Sequence, residues 1–364
     1  MGLRLPQLDA VRALAIGLVI VEHYGGKGIN THLPIGMGSL GVGLFFCLSG
    51  YLITSILLKE YDSGLPRVTI WTNFFARRFL RLMPPYWAWI AVLVAFGVSP
   101  VAESWLWHAA YLSNVWISLG NPILDFWSLA VEEQFYLLWP FIIALAPRRY
   151  LIGVIVAGTF GVSLVFKIWM AQAGVSTDAI QTLLFSNLTE LGSGALLGYV
   201  AYRNGRPYDF SWYTRKVHIW FSLAAALSLG VAIAAWYLFG TSGPYRYYVN
   251  DAMCAVSMVW LLIQASIGIQ GLIGRVFDWR AVQYIGQISY GIYLTHNFVP
   301  DILQSLFGEM SRPVLGASSL LITLVITSLS WRYFEKPILR LKKYFRPEPG
   351  KHEEPPTMVA RTST

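Results

Sequence analysis

A chain of 364 residues that is 55% hydrophobic and only 13% charged, with mean hydropathy +0.52, departs from a soluble domain, in which about a quarter of residues are charged. The composition fits an all-α, polytopic integral membrane protein and excludes an ordinary soluble enzyme. The net charge of +8 does not mark a nucleic-acid binder, because the basic residues lie between apolar runs, and Cys47 and Cys254 inside such runs support neither a disulfide framework nor a cysteine metal site.

Ten apolar runs approach the roughly twenty residues that a bilayer crossing needs: 10–26, 38–58, 84–100, 126–146, 150–171, 182–201, 217–239, 249–267, 284–306 and 314–334. The first is followed by Tyr24 to Lys27, YGGK, which offers no small-residue cleavage site, so it reads as a retained span and not a signal peptide. Between the third and fourth runs, 101–125 is aromatic but short for a crossing, and is expected to be interfacial or re-entrant. With the N-terminus inside, twenty-three of the 27 lysines and arginines fall on the inner side and three on the outer. That positive-inside bias places both termini in the cytoplasm. The division expected is a membrane domain over 1–340 and a basic, proline-rich cytoplasmic tail over 341–364, disordered by composition.

The first run carries the sharpest signal. Arg12 and His23 lie eleven residues apart, which on a helix is a rise of roughly 16 Å and almost three whole turns. They share one face near opposite ends, and ionisable residues at membrane depth are functional candidates. At the inner level FFARRFLRLMPPYW adds Arg77, Arg78 and Arg81, with Arg78 and Arg81 on one helical face. Guanidinium groups there suit phosphate; snorkelling anchors are the plainer reading. Asp9, three residues before Arg12, is placed to orient it.

At the outer level Glu132 and Glu133, near the outer start of the fourth span, are expected at the depth of His23. A carboxylate beside a histidine is the general-base arrangement. The two point about 100° apart, so one of them faces the histidine; a structural polar contact between spans is the competing reading. In ISYGIYLTHN, Ser289, Tyr293 and His296 share a face. His296, taken as mid-span, is either a second catalytic or substrate-orienting group or a satisfied core histidine. Tyr293, Ser128 or a loop amide could stabilise an oxyanion. Zinc needs three or four clustered ligands; His23, Glu132, Glu133 and His296 could supply them, but their spacing matches no metal motif and no metal is expected. There is no Walker loop and no GxSxG elbow.

LDAVRALAIGLVIVEHY, GVGLFFCLSGYLITSILLKE, FFARRFLRLMPPYW, FWSLAVEEQFYLLWP, IGQISYGIYLTHN and WRYFEKPI occur in this order. Together, over roughly residues 5 to 340, they resemble the acyltransferase family 3 of membrane-bound O-acyltransferases. The resemblance implies transfer of an acyl group, most often acetyl from acetyl-CoA, to a hydroxyl of a surface polysaccharide, such as exopolysaccharide or lipopolysaccharide, or of its lipid-linked precursor. It assigns essential roles to Arg12 and His23, and maps the family's paired arginines onto Arg78 and Arg81 and its glutamates onto Glu132 and Glu133.

The expectation is then acyl-CoA held by Arg12, Arg78 and Arg81 as co-substrate, no tightly bound cofactor, and His23 as base supported by Glu133 or Glu132. The partners expected are the glycan, membrane lipids and, where the group is handed on, a separate extracytoplasmic transferase. The location expected is the bacterial inner membrane. The alternatives are a macrolide or other small-molecule acceptor and, outside enzymes, a transporter of glycan or acyl groups.

Overall fold

The computed structural model describes residues 5–25, 36–202, 206–239 and 244–345, with the backbone alone for 235–239 and 244–250. Among these residues every regular element is a helix and none is a β-strand. In chain order they are α1 (Pro6–Tyr24), α2 (Met37–Tyr61), α3 (Arg67–Ala95), the short α4 (Val101–Ala109) and α5 (Ser113–Ser118), and α6 (Phe126–Leu145). There follow α7 (Arg148–Gln172), α8 (Thr177–Gln181), α9 (Leu188–Val200), α10 (Arg215–Phe239), α11 (Pro244–Ile267) and α12 (Gly271–Asp278). The last are α13 (Arg280–Thr295), α14 (Val299–Phe307) and α15 (Arg312–Phe345).

Each of the ten apolar runs contains helix, but among the described residues five helices are long and apolar enough to cross a bilayer: α2, α6, α7, Arg215–Ala234 of α10, and α15. The number is six if α11 and α12, bent by 77°, form one broken span. The others fall short for local reasons. Asp9, Arg12 and Glu22 charge α1, and α9 has 13 residues behind a 3-10 turn at Leu184–Asn187. The run 284–306 is broken, because α13 ends at Thr295 and α14 begins at Val299. Both α4 and α5, in the 101–125 stretch, are too short to cross.

Two boundaries move. The third run was expected to begin near Pro84, yet α3 begins at Arg67 and carries Pro84 and Pro85 inside it. Membrane helices tolerate internal proline, and α13 packs on this part of α3, where the Tyr290 hydroxyl donates to the Leu82 carbonyl at 2.9 Å. At the other end α15 continues past 340, and residues 341–345, expected in the disordered tail, are helical. Arg77 Nη1 donates to the Phe345 carbonyl at 2.6 Å and draws this end onto α3. Residues 346–364 lie outside the described residues.

The core forms around α2, most of whose residues are buried between α1, α6, α9 and α11. Its contact with α9 is backbone on backbone: a Cβ at Gly50 would stand 1.9 Å from the Leu191 carbonyl oxygen. Helices without a hydrophobic drive to associate in lipid pack through such small residues. Lys167, the intramembrane lysine of α7, donates to Asp251 of α11 at 2.7 Å. Large apolar side chains point outward from α7, α10 and α15, among them Trp169, Trp220 and Leu321, as expected of surfaces that face hydrocarbon.

Candidate active site

α1 and α13 lie against each other and run in the same direction, with Asp9 beside Gly286 at one end and His23 beside His296 at the other. The two imidazoles meet edge to face with ring centroids 4.8 Å apart. Asp125, immediately before α6, enters from the third side. Its Oδ2 is 3.3 Å from His23 Nε2 and 3.2 Å from His296 Nε2. His296 is fully buried, while the His23 side chain keeps 29% of its accessible surface. The one ring is fixed and the other remains reachable.

Backbone carbonyls set both tautomers. His23 Nδ1 lies 2.9 Å from the Val19 carbonyl oxygen and His296 Nδ1 lies 2.7 Å from that of Tyr293. A carbonyl oxygen only accepts, so each Nδ1 carries the hydrogen and each Nε2 is left as the basic atom. Further contacts hold the cluster from outside. Tyr24 donates through its hydroxyl to the His296 carbonyl at 2.7 Å. Ser128 Oγ donates to the Tyr293 hydroxyl at 2.6 Å, and that hydroxyl donates to the Asp125 carbonyl at 3.2 Å.

At the other end of α1 a cavity of about 340 Å³ opens among Arg12, Arg77, Arg78, Arg81 and Lys342. The same cavity is lined farther in by Ser128, Ser289 and Tyr293, so its inner wall includes the two hydroxyls that support Asp125. The arginines are held in different ways. Arg12 donates to Asp9 Oδ1 at 2.6 Å, as the spacing predicts, and Arg77 donates to Glu60 Oε1 at 2.5 Å. Arg78 lies 4.9 Å from the centre of the Tyr136 ring. Arg81 has no ion pair or hydrogen bond among the described residues.

The expected partnership of His23 with Glu132 or Glu133 is not what the structure holds. Glu132 lines the cationic cavity, where it accepts from Ser49 Oγ at 2.9 Å and from the Tyr136 hydroxyl at 3.1 Å. Glu133 faces a second cavity of about 350 Å³ that it lines with Arg78 and Tyr111. The carboxylate beside His23 is Asp125, at the very start of α6, while the glutamates sit about two turns deeper. His296, expected in mid-span, instead caps the end of α13.

Asp125 escaped the sequence reading because it belongs to a loop, and helical periodicity assigns no depth to a loop. The available signal was its place directly before FWSLAVEEQFY. Lys342 escaped because it was assigned to the tail.

The loop that delivers Asp125 rests on a second buried histidine. His108, on α4, packs against Phe126 with ring centroids 5.5 Å apart. Ser104 Oγ donates to the Pro100 carbonyl, so His108 Nε2 donates to Ser104 at 2.9 Å and Nδ1 accepts from Ser113 Oγ at 2.8 Å. Burial pushes the pKa of His108 down to about 4, and the ring stays neutral near pH 7.

A basic cavity and a histidine and carboxylate centre thus lie toward opposite ends of α1, and the sequence comparisons identify the family. A family model described as an acyltransferase domain matches residues 5–332. The chain belongs to acyltransferase family 3. Within the family, it is 28% identical over 92% of its length to the peptidoglycan O-acetyltransferase OatA of Listeria monocytogenes, covering 55% of that protein. It is 27% identical over 92% of its length to the O-acetyltransferase OatA of Staphylococcus aureus, covering 57% of that protein. The family 3 chain thus spans a little over half the length of these curated relatives. No solved structure matches it.

Proposed function

We propose that this family 3 protein is a membrane-bound O-acyltransferase that moves an acyl group, acetyl in the first instance, from cytoplasmic acyl-CoA to a hydroxyl of a cell-surface or cell-wall glycan. The observation that carries the reading is the cavity itself, with four arginines and a lysine at one end and the hydroxyls beneath Asp125 at the other. The phosphates of CoA bind the guanidinium groups through charge-assisted hydrogen bonds. The roughly 16 Å between Arg12 and His23 is the span that the extended pantetheine arm covers. In this reading the arginine end of α1 faces the cytoplasm, so the donor enters at the arginines and the acceptor meets His23 from the opposite side.

In the transfer, His23 Nε2 takes the proton of the acceptor hydroxyl as its oxygen attacks the thioester carbonyl. The imidazolium formed faces the Asp125 carboxylate, which stabilises it. Collapse of the tetrahedral intermediate breaks the carbon–sulfur bond, and the proton passes from His23 to the departing thiolate. Tyr293 and Ser128, in the cavity wall below, commit their hydroxyl hydrogens to the Asp125 carbonyl and to one another, and so position the loop that carries the carboxylate. Asp9 orients Arg12, and His296 closes the buried side of Asp125.

The experiment is release of free CoA from acetyl-CoA by purified protein supplied with a peptidoglycan or polysaccharide fragment. Wild type turns over, and at limiting acetyl-CoA His23→Ala and Arg12→Ala are both strongly impaired. Full activity in both variants would falsify the assignment, and movement of the acyl group or glycan without thioester cleavage would establish a transporter.

A further inference from the structure

His23 Nε2, His296 Nε2 and Asp125 Oδ2 all lie within 4.8 Å of one another. Because both Nδ1 atoms donate to carbonyls, both Nε2 atoms present lone pairs to the carboxylate oxygen. Among the described residues, neither Asp125 Oδ2 nor the fully buried His296 Nε2 makes a hydrogen bond. Three electron-rich atoms turned toward one point repel one another unless a cation stands among them. A proton bridges one pair, whereas a metal ion satisfies all three.

The donor set and its supports are those of a transition-metal site. Two imidazoles and a carboxylate suit zinc and its neighbours and not calcium or magnesium, which take oxygen ligands. Metal–ligand bonds of about 2.0–2.2 Å in tetrahedral geometry set ligand atoms about 3.3–3.6 Å apart. The two nitrogen–oxygen edges here are 3.3 and 3.2 Å. The remaining edge closes by a small swing of His23, the exposed member. Metal-bound histidines characteristically donate their other ring N–H to a carbonyl or carboxylate, and both do so here at 2.9 and 2.7 Å.

We propose that His23, Asp125 and His296 form a binding site for a zinc-class dication, with the fourth position open on the exposed side of His23. Occupancy consumes the Nε2 lone pair that would act as base. Zinc is therefore a reversible inhibitor of the transfer proposed above; this second half rests on that reading, while binding does not.

Binding is measured first, on full-length protein purified in detergent with an affinity tag free of histidine, stripped with a chelator and titrated with Zn²⁺ against a chromogenic competitor. Wild type takes up one equivalent. His23→Ala, whose exposed position makes folding safe, and Asp125→Asn each weaken binding by roughly ten- to hundredfold or more. Absence of a stoichiometric site in wild type, or equal affinity in both variants, overturns the site. Co²⁺ adds a spectroscopic readout, an intense visible band in wild type that His23→Ala lacks.

CoA release is then followed with and without Zn²⁺. Inhibition reversed by the chelator supports the second half, and turnover that depends on added metal overturns it. Stoichiometric binding by a protein with no turnover in either condition sinks the functional reading and leaves the metal site standing.

Discussion

The two ends of α1 solve opposite problems. At the arginine end, charges of one sign converge on a cavity, and only part of that charge is answered from within: Asp9 takes Arg12 and Glu60 takes Arg77. At the histidine end, charge is sparse and orientation is fixed, with two Nδ1 atoms tied to carbonyls and one carboxylate between two rings. The first arrangement leaves attraction for a ligand to satisfy. The second fixes geometry before any ligand arrives, which is how a reacting centre lowers a barrier. Under the proposed function the difference separates recognition from chemistry along one helix, and each end should fail in its own manner.

The largest effect is expected at the histidine end. His23→Ala lowers CoA release at saturating acyl-CoA by roughly 10²- to 10⁴-fold, with acyl-CoA affinity unchanged in an equilibrium binding assay. Asp125→Asn follows in the same direction by a smaller factor, because it removes the charge facing the imidazolium and keeps the shape. A matched loss of acyl-CoA affinity in either variant would break the separation.

At the cationic end Arg78→Ala raises KM for acyl-CoA by roughly ten- to a hundredfold, the equivalent of one charge-assisted hydrogen bond, and leaves kcat near wild type. A fall in kcat without a shift in binding would move Arg78 to the chemical end.

Glu132→Gln sharpens the boundary between them. Its carboxylate contacts Ser49 and Tyr136 in the cationic cavity, so the change is expected to shift KM by less than about tenfold and to spare kcat. A kcat loss equal to that of Asp125→Asn would restore the glutamate to the role the sequence suggested.

The smallest effect concerns the support of Asp125. His108 is held neutral, with its pKa pushed from 6.5 to about 4 by burial. The unfolded chain therefore binds more protons than the folded one between these values, and stability declines as pH falls through that window. His108→Asn should flatten the decline in a thermal-shift series in detergent. Equal slopes in variant and wild type would show that the ring carries no such load.

Much of this was legible in the sequence for identifiable reasons. Helix α1, the placement of Arg12 and His23 toward its opposite ends and the Asp9–Arg12 pair follow from the apolar run and helical spacing. The arginine cluster followed from FFARRFLRLMPPYW, although Pro84 and Pro85 suggested a later start for α3 than Arg67. What stayed hidden depends on contacts between segments far apart in the chain. Asp125 lies in a loop and reaches His23 only because α6 begins where α1 ends. Lys342 reaches the cavity only because the end of α15 folds back on Arg77. The glutamates are half-buried, and adjacency in sequence could not say which cavity each would face.

One glycine ties both ends to a common gauge. A Cβ at Gly286 would stand 1.7 Å from the Asp9 carbonyl oxygen, so α13 rests directly on the backbone of α1 beside the residue that orients Arg12. His296 lies ten residues farther along the same direction. Adding a single methyl group there pries the helices apart at the cationic end and displaces the far histidine with them. Gly286 thus acts as the fulcrum of a lever, where one atom too many would misalign the arginine cluster and the histidine pair at once.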